Sequence, residues 1–153
     1  MKKLLLLNLC LISLTGGIQA QSPSGRYDSA LARKLGADDY GMKMYVFVIL
    51  KTGSVKMTDK KAEDSLFAAH LNNISRLAAE GKLVLAGPFG KNDDDYRGLF
   101  IFNETDLHEV SRLLETDPAV RAKLLEPVMY RWYGTAALLE IPELHQAIQK
   151  TRF

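Results

Sequence analysis

The stretch that most constrains this chain is HLNNISRLAAEGKLVLAGP, from His70 to Pro88. A helical pattern runs into Glu80-Gly81, turns, and feeds directly into an apolar strand that closes at Gly87-Pro88. At about 100° per residue, Leu66, Phe67, His70, Leu71, Ile74, Leu77 and Ala78 fall on one arc. His70 sits near its middle, while Asn72, Asn73, Arg76 and Glu80 point elsewhere. A histidine on the face a helix normally buries is either a satisfied core residue or a working one.

The segments around this joint repeat the alternation of strand and helix. Met42 to Leu50 is rich in aromatic and branched residues and predicts a strand. The long helix spans about Lys61 to Glu80, and strands follow over Lys82 to Ala86 and Gly98 to Asn103. A second helical region starts near Thr105 or Asp106, breaks at Asp117-Pro118 and resumes to about Leu125. A last strand is expected over Val128 to Leu139, and Pro142 opens a terminal helix. The order β-α-β-β-α-β predicts a ferredoxin-like α+β subunit, an antiparallel sheet with helices on one face. Tyr45 to Leu50 is apolar without alternation, which implies cover on both faces of the sheet. The helices supply one cover. A second copy of the chain, sheet against sheet, is the simplest source of the other, so a homodimer is expected.

The first twenty residues have the layout of a secretory signal peptide: Lys2-Lys3, the apolar Leu4 to Leu14, and the small-residue exit Gly16 to Ala20. Cleavage after Ala20 would place the protein in the periplasm or outside the cell, with no membrane attachment. It removes Cys10, the only cysteine, so the mature chain has neither a disulfide nor a thiol nucleophile. Lys2 and Lys3 leave with it. Of 20 basic residues 18 then remain against 18 acids, and the formal charge falls from +2 to zero. A neutral surface argues against a nucleic-acid partner. The expected organisation is a signal peptide over 1–20, a lead-in with a short helix over 21–41, one domain over 42–139 and a terminal helix over 140–153.

Two residues carry the candidate chemistry. A free imidazole titrates near neutrality, so a histidine such as His70 suits general acid or base work, and a catalytic imidazole inside a fold wants a carboxylate beside it. Asp117 is the candidate acid. Asp-Pro fits a helix N-cap with proline at the first helical position, and a capping carboxylate keeps a second oxygen that can orient an imidazole. Spacing alone leaves the structural and the functional roles open for both residues. His108 and His145 suit solvated helix faces, and Asp93-Asp94-Asp95 suits a solvated turn. Trp132 and Tyr133 suit the core, and Lys51 suits solvent at the sheet's edge. No pair has metal-ligand spacing, so neither a metal nor a cofactor is expected.

The segments AHLNNISRLAAEGKLVLAGPF, RGLFIF, TDPAVRAKLLE and VMYRWYG resemble the YciI-like (YCII-related) family over about Met42 to Leu139. The most specific pieces are the helix histidine followed by Glu-Gly-Lys-Leu and Ala-Gly-Pro, and the Asp-Pro element. The resemblance implies a dimeric α+β barrel whose pocket centres on a His/Asp pair, here His70 and Asp117. It also implies proton-transfer chemistry on small organic compounds, of the isomerase or dehydrohalogenase type. The contrasting expectation is a non-catalytic dimer that binds a small molecule, haem included, with the pocket histidine as iron ligand. The export signal, the Arg26 to Tyr40 lead-in and the terminal helix depart from the short members of the family. The exported protein is expected to have the mass of a chain beginning at Gln21; an acylated chain beginning at Cys10 overturns that assignment.

Overall fold

The structure is a computed structural model that describes residues 27–151, so the expected signal peptide and the start of the lead-in lie outside the described residues. The first described helix, α1 (Ser29–Leu35), starts where Asp28 accepts from the Ala30 and Leu31 N–H groups and stops at Gly36, φ 64°. Then come β1 (Met42–Thr52), α2 (Lys60–Ala79), β2 (Leu83–Pro88), β3 (Tyr96–Phe102), α3 (Leu107–Leu114), α4 (Pro118–Arg121) and β4 (Leu125–Thr135). A 3₁₀ segment (Ala136–Glu140) and α5 (Ile141–Ile148) complete the described chain. The sheet order is β2-β3-β1-β4, with every neighbouring pair antiparallel. This is the expected ferredoxin-like α+β subunit.

The joint between α2 and β2 forms as its residues dictate. Gly81 takes φ 69° and its N–H donates to the Ala78 carbonyl, while the Lys82 N–H donates to that of Leu77. Those two bonds satisfy the carbonyls a helix end leaves open. Helix α2 presents His70, Asn73 and Leu77 inward. Two placements on it differ from the sequence expectation: Leu71 is exposed and Asn73 is buried. Asn73 stands three residues from His70, so the two share a face.

Val46, Val48, Leu50, Phe100 and Phe102 of the sheet pack under Leu77, Val110, Leu114 and Ala119 from the helices. On the opposite face a smaller cluster gathers Tyr45, Val84 and Ile101, with Leu138 and Leu139 laid across it. The second cover is therefore supplied in part by the chain's own C-terminal segment, a correction to the expectation that a second copy supplies it all. The final strand ends earlier than expected for the same reason. At Thr135 the side chain caps Ala137, the Ala136 N–H closes on Gly41, and the chain turns over the sheet. Strand β4 also starts three residues earlier than expected, because Lys123, φ 55°, ends α4 and lets Leu125 pair with Thr52.

The described part of the lead-in packs on the same chain. Leu35 is buried, α1 packs on the 3₁₀ segment, and Lys34 pairs with Glu140 at 3.1 Å. Farther along, the Tyr133 hydroxyl donates to Asp38, and this bond, with the Met42 N–H, holds the Asp38 carboxyl below its ordinary range. Beyond this cover the sheet stays open around Phe47, Tyr130 and Trp132, the last two 50% and 38% exposed.

Gly53 fixes the far end of α4. Its N–H donates to the Leu124 carbonyl at 2.9 Å, and the Val55 N–H donates to that of Lys123 at 3.1 Å. A Cβ at Gly53 would overlap the Lys123 carbonyl oxygen, a backbone atom that cannot swing aside. Gly53→Ala is expected to cost about 2 kcal/mol or more. A denaturant melt as stable as the parent's contradicts this packing.

Candidate active site

The site begins with a helix cap. Asp117 is the N-cap of α4, and its Oδ1 accepts from the Ala119 N–H at 2.9 Å and, more weakly, from that of Val120 at 3.5 Å. Pro118 follows at the first helical position, where a missing N–H costs nothing. The cap leaves Oδ2 free to face α2, where it lies 2.6 Å from His70 Nδ1. An ionised carboxylate only accepts, so Nδ1 carries the hydrogen, and in a neutral ring Nε2 holds the lone pair. Asp117 is 1% exposed and His70 8%. One carboxylate thus serves both candidate roles, one oxygen each.

The imidazole is walled by aromatic rings. Phe100 of β3 stacks on it at a centroid distance of 6.0 Å and 25°, and Phe67, one turn earlier on α2, meets it edge-on at 6.2 Å. Nε2 has no hydrogen bond to any described residue, and no buried side-chain nitrogen or oxygen among them lacks a partner. Nε2 therefore reaches solvent. A ring pinned at one nitrogen and open at the other can take a proton from a bound molecule and return it.

A second polar cluster, which sequence reasoning missed, braces this pair. Asn73 Oδ1 accepts from Arg76 Nη2 at 2.8 Å and lies 3.1 Å from the Thr116 hydroxyl. Arg76 Nη2 also donates to that hydroxyl at 2.9 Å. Thr116 immediately precedes Asp117, so the cluster ties α2 to the start of α4 beside the His70–Asp117 contact. The available signal was the three-residue step from His70 to Asn73.

The other residues singled out in the sequence lie apart from this site. His108 and His145 are exposed on α3 and α5, and the three aspartates form a turn organised by Asn92, whose Oδ1 accepts from the Asp94 and Tyr96 N–H groups. Lys51 Nζ stands 5.5 Å above the Tyr96 ring. Trp132 and Tyr133 are exposed, whereas core positions were expected: Trp132 lies against Tyr45 and Phe47 on the open face, and Tyr133 tethers Asp38. Among the described residues no three histidine, cysteine or acidic groups gather as a metal site.

Two surface cavities lie elsewhere. One of about 320 Å³ sits between Thr52 and the turn from Phe89 to Arg97, and one of about 540 Å³ lies between α2, β2 and α5. Neither is lined by His70 or Asp117.

No curated protein matches the chain. Among solved structures it is similar to 5-chloro-2-hydroxyhydroquinone dehydrochlorinase (TftG) from Burkholderia phenoliruptrix AC1100 in complex with 2,5-dihydroxybenzoquinone. The identity is 26%, the TM-score 0.41, and the match covers 57% of this chain and 92% of that one. Residues 42–132, more than half of the chain, match the family model of the YCII-related domain. A helix histidine, a strand beginning just past its glycine stop and an Asp-Pro cap thus stand on the matched segment, and the chain belongs to the YCII-related domain family.

Proposed function

We propose that this protein is an exported enzyme that moves protons on a small organic substrate without a cofactor, as an isomerase or a dehydrohalogenase-type lyase. His70 is the acid-base group and Asp117 its positioning partner. The observation that carries this reading is the 2.6 Å contact between Asp117 Oδ2 and His70 Nδ1, with Nε2 left open. Nε2 takes a proton from a carbon made acidic by a neighbouring carbonyl. The released electron pair then either shifts the double bond, with His70 returning the proton to another carbon, or forms a new double bond as halide departs, with His70 then giving up its proton to solvent. Throughout, the Asp117 carboxylate stabilises the imidazolium. Phe67 and Phe100 keep the surroundings apolar, which strengthens that interaction.

His70→Ala is expected to lower turnover by about 10²–10⁴-fold. Asp117→Asn still caps α4, because Asn is as good an N-cap as Asp. Its amide nitrogen would face Nδ1, drive the imidazole to the other tautomer and remove the base. A loss of comparable size is expected, with an unchanged circular dichroism spectrum. The assay is solvent-deuterium incorporation or halide release on a panel of cyclic enones, lactones and halogenated hydroquinones. Parental rates in both variants refute the assignment.

The same reading includes a homodimer. The sheet face around Phe47, Tyr130 and Trp132, left open by the C-terminal segment, is the surface a second copy would cover. Light scattering at micromolar concentration is expected to give twice the chain mass, and a monomer there rules the dimer out.

A further inference from the structure

Phe67 touches more than the imidazole. The guanidinium carbon of Arg97 lies over the same phenyl ring, 5.8 Å from its centroid. An irregularity in β3 puts it there. Leu50 pairs with Gly98 while Lys51 pairs with Tyr96, so Arg97 is an extra residue without a partner on β1. Strand alternation alone would send its side chain with Leu99 and Ile101 to the open face of the sheet. Phe67 packs on the helix side of the sheet, so the bulge has re-aimed Arg97 toward the α2 face that bears His70.

Arg97 is exposed and has no ion pair among the described residues. Asp93, Asp94 and Asp95 precede it in the turn, and Asp95 lines the same 320 Å³ cleft, yet none of the three pairs with it. Arg33, Arg121 and Arg131 are also unpaired, but none of them lies over a ring that touches the imidazole. A guanidinium that faces a ring and meets no carboxylate keeps its N–H edge available for two parallel hydrogen bonds to an anionic group.

We propose that Arg97 anchors an anionic oxygen group, a carboxylate or an ionised ring hydroxyl, on the molecule that His70 acts on. The inference rests on the reading of His70 as the acid-base group and adds a charge requirement to its substrate.

The test uses benzoate and the neutral, isosteric benzamide, followed through the His70 ring signals by NMR on the full mature chain. Benzoate is expected to shift those signals saturably and to bind roughly tenfold or more tightly than benzamide. Arg97→Gln should erase that ratio, and Arg97→Lys should restore part of it. Equal affinities, no shift with benzoate, or a ratio that survives Arg97→Gln each overturn the proposal. The two readings separate cleanly. A benzoate preference alongside parental turnover in His70→Ala leaves the anion anchor standing and removes the base. Lost turnover in His70→Ala without a benzoate preference removes the anchor alone.

Discussion

The site depends on one carboxylate with two obligations. Asp117 starts α4 with one oxygen and holds the His70 ring with the other. Neither bond could be surrendered cheaply. Without the cap, α4 would open with unsatisfied N–H groups in a buried joint, and without the ring contact a nearly fully buried charge would lose its partner. The two needs reinforce each other, because the cap fixes the carboxylate's orientation and that orientation fixes the tautomer. The Asn73, Arg76 and Thr116 cluster then limits how far α2 and α4 can drift apart.

The sheet beneath shows how a small subunit handles a surface apolar on both faces. The helix side is closed by α2, α3 and α4, and the other side is half closed by the 3₁₀ segment through Leu138 and Leu139. The remainder, centred on Phe47, Tyr130 and Trp132, is too apolar to be an ordinary solvated face. The 3₁₀ segment and α5 therefore pack on this side of the sheet, α1 packs on the 3₁₀ segment, and together they narrow the apolar area left open.

Much of this was legible in the residues themselves. The element order, the glycine stop of α2, the Asp-Pro cap and the unbroken apolar run of β1 each report a local rule, and local rules need no neighbours. The misplacements all concern contacts. Leu71 lies on the apolar arc by angle yet is exposed, because α4 and the sheet cover only part of that arc. Asn73 is polar yet buried, because Thr116 arrives from the start of α4 and Arg76 reaches back along α2 to satisfy it. Trp132 and Tyr133 alternate on a strand whose cover stops short of them. Strand β4 ends at Thr135, short of the Leu139 its composition predicts, because β1 begins at Met42 and leaves it no partner beyond, a register only the folded sheet shows.

From its order of residues alone, this chain determines a β-α-β-β-α-β subunit and puts an imidazole on the inward side of its longest helix. Helical and strand periodicities, caps and glycine stops act over a few residues, so they are written locally. Whether that imidazole meets an acid, which nitrogen stays open, and which cation shares its aromatic neighbour are settled only by tertiary structure. His70 and Asp117 lie 47 positions apart, and a hydrogen bond is decided by ångströms that no local pattern encodes.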